Sequence, residues 1–281
     1  MKIVRSHSAL MRWRRALDRE GVRVGMVPTM GALHDGHRAL IRRARLASDA
    51  VAVSLFVNPK QFGPKEDFAR YPRAFRADAE LCRREGVDLL YAPTVDEMYP
   101  PGYQTAVTVR SVTRRWEGAA RPHHFEGVAT VVTKLLCAAR PTVAFFGQKD
   151  YQQAVMIRQL VADLNLDLAV RICPTVREAD GLAMSSRNVY LDADQRKAAP
   201  VLYAALQAGR DAIRRGVTSG ATITRVMKAV LSRERLAIPD YLAVCDPTTL
   251  ERLRVVKGQA VLLGAIRIGK IRLIDNLLVK S

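Results

Sequence analysis

The chain has 281 residues, of which 49% are hydrophobic and 26% charged, enough apolar material for one large domain and a smaller one. No apolar run approaches the roughly 20 residues a bilayer crossing needs, and arginines interrupt the hydrophobics of "MKIVRSHSALMRWRRAL" within one helical turn, so a cytoplasmic protein with no signal peptide and no membrane partner is expected. The formal charge of +18, densest per residue from Arg187 onward, suits anionic partners; scattered arginines and only 6% aromatics argue against nucleic acid.

In chain order, "VRVGMVPTM" reads as a buried strand and "HRALIRRARLASDA" as a helix with apolar positions at Leu40, Ile41, Ala44 and Ala47. A second buried strand, "AVAVSLFVN", follows. "FARYPRAFRADAELCRREG" is helical after Pro72 and stops at Gly86, and "VDLLYAP" is a third strand. "GVATVVTKLLCAAR" and "YQQAVMIRQLVADLN" are helices, each leading to a strand, "TVAFFG" and "LDLAVRICPTV". Near-continuous apolar strands between amphipathic helices predict an α/β fold: a Rossmann-like parallel sheet with helices on both faces.

Beyond Arg187 the pattern changes. "DQRKAAPVLYAALQAGRDAIRRG" and "ATITRVMKAVLSRERL" are helical, the latter with Ile223, Val226, Met227, Val230 and Leu231 on one face. "DYLAVCD", "AVLLGAIRIG" and "IRLIDNLLV" read as strands, the last two joined by a tight Gly269-Lys270 turn. The expected organisation is therefore a Rossmann-like domain over residues 1–186 and a smaller α+β domain over 187–281.

Ligands of such sheets bind outside the carboxyl ends of the strands, and the polar clusters "HDGH", "NPKQF", "GQKDYQQ" and "READGLAMSSRN" fall there. His34 and His37 lie on one side of a helix's first turn, where unpaired N–H groups and the dipole already favour anions. Gly31 and Gly36 let backbone approach a ligand. A metal site and an ordinary helix start are the competing readings. The first lacks support, because there is no HExxH and the four cysteines, Cys82, Cys137, Cys173 and Cys245, are far apart and read as reduced, mostly buried thiols. His123 and His124, adjacent in "RPHHF", point opposite ways if extended.

Other positions have plain alternatives: Lys149 and Asp150 as a surface ion pair, Gln153 as a solvated first-turn residue, Gln61 as turn decoration, His124 as a core histidine. "GAIRIGK", Gly264 to Lys270, meets part of the phosphate-loop pattern, but Ile271 replaces the required Ser/Thr and no helix follows, so it reads as a hairpin.

HxGH after a first Rossmann strand, with "AMSSRN" late in the fold, resembles the nucleotidyltransferases that include class I aminoacyl-tRNA synthetases. "VPTMGALHDGH", "SLFVNPKQFGPKEDFARYPR", "RPHHFEGVATVVTKLL", "FFGQKDYQQ", "TVREADGLAMSSRN" and "RLIDN" together are similar to the pantoate–β-alanine ligase family, the pantothenate synthetases, over about Gly25 to Asn276. The resemblance implies ATP-dependent condensation of (R)-pantoate with β-alanine through pantoyl adenylate, releasing diphosphate and AMP, in a homodimer whose C-terminal domain acts as a lid. It implies ATP as substrate together with Mg²⁺, held either by the phosphates alone or with help from protein, Asp150 being a candidate for ribose or for the ion.

Carried over by position, Met30, Gly31, Ala32, Leu33, His34, Asp35, Gly36 and His37 would lie along ATP, with His37 as proton donor and His34 beside it on the phosphates. Gly147, Gln148, Lys149 and Asp150 form a second ATP string, Lys149 supplying a point charge. Ser185, Ser186 and Arg187 would clamp the β- and γ-phosphates, Met184 would lie beside them on ATP, and the backbone at Val176 would meet adenine. Gln61 and Gln153 would hold pantoate, Gln61 also β-alanine, with Asn58 and His124 as possible additions. Asp35 within HxGH and Gln148, where an acid is also common, are the departures from the family's pattern.

Overall fold

The computed structural model describes residues 1–64 and 66–280. The chain divides into two compact units, Met1–Gly147 with Gln153–Pro174, and Gln148–Gln152 with Thr175–Ser281.

The first unit runs β1 (Lys2–Val4), α1 (His7–Arg19), β2 (Val24–Thr29), α2 (Asp35–Ala47), β3 (Ala50–Leu55), α3 (Phe75–Arg84), β4 (Leu89–Tyr91), α4 (Val95–Met98), α5 (Glu117–Ala120), α6 (His124–Ala139), β5 (Val143–Gly147), most of α7 (Tyr151–Asp163) and β6 (Ala169–Cys173). Its six strands pair in parallel in the order β1-β4-β3-β2-β5-β6. Side chains alternate across a strand, and the alternation sorts the core into two layers. Met26, Ala52, Leu89 and Phe146 face a cluster with Leu10 of α1, Leu136 of α6 and Met156 of α7. Val27, Val53, Leu90 and Phe145 face Ile41 and Ala44 of α2 and Cys82 of α3. Both faces are thus covered, as the unbroken apolar strands require.

Strand order reverses at β2: the chain steps from β2 through β3 to β4 on one side, then returns to place β5 on the other. That is the topological switch point, and the carboxyl end of β2 leads into the loop ending at His34.

In the second unit α8 (Ala193–Ala198), α9 (Val201–Arg214) and α10 (Gly220–Leu231) accompany an antiparallel sheet of β7 (Ala237–Cys245), β8 (Gln259–Ile268) and β9 (Ile271–Lys280). Leu202 and Leu206 of α9 and Ile223 and Met227 of α10 pack on Leu262 and Ile266 of β8. "GAIRIGK" is the end of β8 and a turn with Gly269 at φ 57°, followed by a strand.

Several expectations change. "VRVGMVPTM" forms the second strand, because Lys2–Val4 already pairs with β4; three residues are too few to show a period. The helix expected from Asp194 to Gly216 is two, parted at Ala199–Pro200, where proline lacks the N–H that would continue the first ladder. β7 begins at Ala237, ahead of "DYLAVCD", with its register shifted between Pro239 and Tyr241. Ala47 is exposed where α2 ends. Three of the cysteines are buried and Cys137 is exposed. Measured by compactness, the second unit takes in Thr175–Ser186 ahead of the expected start at Arg187, and Gln148–Gln152 as well. Among the described residues no helix is long and apolar enough to cross a membrane.

Candidate functional site

In the first unit the loop after β2 turns through two left-handed residues, Gly31 at φ 87° and Ala32 at φ 51°. Asp78 of α3, 4% exposed, holds it there by accepting the N–H of Ala32 and of Leu33, each at 2.8 Å. Burial pushes the Asp78 carboxyl up, and these two N–H groups pull it back. A Cβ on Gly31 would stand 3.0 Å from the Asp78 carboxylate, so glycine permits both the turn and the approach.

His34 is the N-cap of α2 and His37 its third helical residue. The Gly36 N–H donates to His34 Nδ1 at 3.1 Å, and the His34 N–H donates to His37 Nδ1 at 3.3 Å, a capping box built from imidazoles. With Nδ1 accepting in both rings, each neutral imidazole carries its proton on Nε2. The helix start therefore presents two side-chain donors where backbone N–H groups already converge. Asp35 lies exposed and pairs with Arg38 at 2.9 Å.

Asn58, also in the first unit, caps the 3₁₀ turn Pro59–Gln61, and Gln61 ends it. Asn58 is 1% exposed and fully used. Its Nδ2 donates to Gln61 Oε1 at 3.1 Å and to the Gly127 carbonyl at 3.0 Å, while Oδ1 accepts from the Lys60 N–H and from Tyr99 Oη. Gln61 Nε2 in turn reaches Met30 Sδ at 2.9 Å. Gly127 lets α6 touch this turn, for a Cβ there would collide with the Lys60 carbonyl.

His123 and His124 are not extended: His123 sits exposed in the left-handed region at φ 66°, and His124 opens α6. His124 Nε2 lies 3.1 Å from the Arg121 guanidinium, which can only donate, so Nδ1 carries the proton and donates to the Gln61 carbonyl at 2.8 Å. Burial, then the adjacent Arg121 charge, pushes the His124 pKa down to about 4. Arg121 is itself held by Glu66 at 2.5 Å. Gln153, half-buried in the first turn of α7, makes no side-chain hydrogen bond among the described residues.

The second unit holds the other string. After Gly147, Gln148–Asp150 form a 3₁₀ turn in which Lys149 Nζ lies 3.5 Å from Asp150. Gln148 Nε2 donates to Asn276 Oδ1 at 3.1 Å. Thr175–Asn188 folds back on itself: the Met184 N–H donates to the Val176 carbonyl at 3.0 Å, and Arg177 bridges Ala183. Arg196 ties Asp180 and Glu178 of this hairpin at 2.5 and 3.3 Å. Ser185 then caps the 3₁₀ turn Ser186–Tyr190, accepting the Arg187 N–H at 3.2 Å, and Met184, Ser185, Ser186 and Arg187 are all half-buried.

The geometry thus joins Met30, Gln61, Asn58 and His124 in one network and stacks His34 on His37; separately, it joins Gln148 and Lys149 to β9. Sequence reasoning missed Asp78, Tyr99, Arg121 and Glu66 in the first unit and Arg177, Asp275 and Asn276 in the second. Glu66, Arg121, Arg177, Asp275 and Asn276 all lie in strings that carry the family resemblance, whereas Asp78 and Tyr99 lie outside them.

A six-stranded parallel sheet whose first crossover helix after the switch point starts at paired imidazoles defines a Rossmann-like α/β enzyme carrying a small α+β unit. The chain belongs to the pantoate–β-alanine ligase family, whose model matches residues 2–278. It is 54% identical over 259 residues to the pantothenate synthetase of Chloroflexus aurantiacus, covering 92% of each chain. The crystal structure of pantothenate synthetase from Thermus thermophilus superposes with a TM-score of 0.94 at 49% identity, covering 99% of both chains. A pantoate-β-alanine ligase from Francisella tularensis, complexed with Beta-gamma ATP and β-alanine, gives 0.82 at 33% identity over 99% of this chain and 97% of that one.

Proposed function

We propose that this protein joins (R)-pantoate to β-alanine in pantothenate biosynthesis, using ATP and passing through pantoyl adenylate. Family membership over nearly the whole chain supports the overall reaction. The observation that carries the mechanism is the imidazole capping box, which sets two imidazoles at one helix start with their Nδ1 atoms engaged by backbone N–H groups.

A pantoate carboxylate oxygen attacks the α-phosphorus of ATP; the bond to diphosphate breaks and diphosphate leaves with the electron pair. The free amine of β-alanine then attacks the acyl carbon, AMP departs, and the amine loses its proton. Donors fixed before the reaction stabilise charge growing on the phosphate oxygens without reorganising. In this reading Met30–His37 line ATP, and His37 is the proton donor with His34 beside it. Gly147–Asp150 form the second ATP string, where Lys149 adds a point charge. Ser185–Arg187 take the terminal phosphates with Met184 beside them on ATP, and Val176 backbone meets adenine. Gln61 and Gln153 hold pantoate, and Gln61 also serves β-alanine. The neutral amides pair with carboxylate and hydroxyl without acting as nucleophiles. Asn58 and His124 work through Gln61, since their own polar atoms are taken.

Mg²⁺ enters with ATP as part of the substrate. Phosphate oxygens and water suit this ion, and Asp150, beside Lys149 in the second ATP string, is the carboxylate placed to join them. Residues 187–281 act as the lid of the same reading, because an acyl adenylate survives only where water is kept out. A cytoplasmic homodimer completes it, with light scattering as the check on assembly.

The test is diphosphate release from ATP with pantoate present and β-alanine withheld. Accumulation of the mixed pantoate–AMP anhydride is expected. Diphosphate release that requires β-alanine, or that proceeds equally with other hydroxy acids, would redirect the assignment to a concerted ligase or to another carboxylate adenylyltransferase.

A further inference from the structure

Two neighbouring residues of β9 hold both strings of the second unit. Asn276, 1% exposed, donates from Nδ2 to the Gln148 carbonyl at 2.8 Å and to the Lys149 carbonyl at 2.9 Å, and its Oδ1 accepts from Gln148 Nε2. Three bonds fix the amide's orientation. Asp275 takes Arg177 in a two-pronged pair at 2.6 and 2.9 Å, and accepts the Asn276 N–H at 2.7 Å. Arg177 extends the hold: it donates to the Gly181 carbonyl at 3.0 Å and lies 3.7 Å from the centre of the Tyr203 ring. Tyr203 packs so closely on Gly181 that a Cβ there would run into its ring. Successive strand residues face opposite ways, so adjacent positions reach two different segments.

We infer that Asp275 and Asn276 are positioning residues of the ligase reaction: through this joint, β9 sets the turn carrying Lys149 and the hairpin leading to Ser185–Arg187 in one fixed relation. The inference deepens the proposed function and rests on its assignment of Lys149 and Arg187 to ATP. Neither Asp275 nor Asn276 need touch substrate. Displacing a charge by about 1 Å costs on the order of 100-fold in rate, which gives such a joint its leverage.

The experiment is a double-mutant cycle on the full-length enzyme, with kcat and KM for ATP and pantoate and a melting curve for each variant. Asn276→Ala should lower kcat/KM for ATP by about 100-fold, leave the KM for pantoate unchanged, and lose most of that effect in a Lys149→Ala background. Gln148→Ala removes one side-chain bond of the joint and keeps the test available should Asn276→Ala not fold; a loss of about 5-fold, again absent beside Lys149→Ala, is expected on the same grounds. A melting shift with wild-type ATP kinetics, or equal losses in both backgrounds, overturns the inference alone. Wild-type ATP kinetics in Lys149→Ala overturn the assignment of Lys149, and the inference with it.

Discussion

The imidazoles of His34 and His37 stand 4.1 Å apart, tilted by 48°, each with Nδ1 engaged by a backbone N–H at the start of α2. The pair therefore has two separable duties, capping a helix with Nδ1 and donating from Nε2. His34→Asn keeps an N-cap acceptor and shortens the donor, so stability should stay within a few tenths of a kcal/mol while adenylation slows by roughly 10²–10³-fold. Melting curves and diphosphate release on the same sample check both halves; an Asn variant at wild-type rate would remove His34 from the chemistry.

Asp78 braces the left-handed turn at Gly31–Ala32 through two backbone N–H groups. Asp78→Ala leaves both part-buried groups without that acceptor, at about 1–3 kcal/mol each where water cannot replace it. A lowered unfolding midpoint and a raised KM for ATP are expected, with the KM for β-alanine unchanged. Denaturant titration and steady-state kinetics measure the two effects.

Gly127 lets α6 pack directly against the turn bearing Gln61, where a Cβ would meet the Lys60 carbonyl. Gly127→Ala forces a shift of the Lys60–Gln61 backbone, and overpacking of this kind costs about 1–3 kcal/mol. Since Asn58 also bonds the Gly127 carbonyl, the displacement reaches Gln61, and the KM for pantoate should rise more than that for ATP. Equal changes in both constants would argue for general loosening instead.

His124 has a folded pKa of about 4 against an ordinary 6.5. A depressed folded value means the unfolded chain binds the extra proton first. The stability due to neutral His124 is complete above pH 6.5 and is lost as the pH falls toward 4, by roughly 3 kcal/mol at most. His124→Gln should flatten the pH dependence of the urea midpoint across that window, and an unchanged slope would contradict the buried neutral assignment.

Strand and helix succession was legible because buried parallel strands need unbroken apolar runs and their crossover helices need one apolar stripe. β1 was hidden, having only Lys2–Val4 to show. The break before α9 was written in Pro200 and passed over, because the apolar pattern continues across it. At the site, His34, His37, Lys149 and the Ser185–Arg187 string stand out by motif. Asn58 and His124 were named for the substrate site, yet their polar atoms prove to be taken up by Gln61 and its neighbours.

Residue order alone determined the parallel sheet and the small antiparallel one, since hydrophobic period and turn chemistry are local properties written along the chain, and it carried the family in long strings that resemble it. Tertiary structure alone decided which polar side chains hold others in place: Asp78 on the loop after β2, Arg121 on His124, Asn276 on Lys149. The first and last of those pairs lie 46 and 127 residues apart, and at His124 and Arg121, neighbours in sequence, the fold supplies the Gln61 carbonyl and Glu66 from 63 and 55 residues away. Their meaning comes from burial, where a polar atom must find a partner, and burial exists only once distant segments have packed.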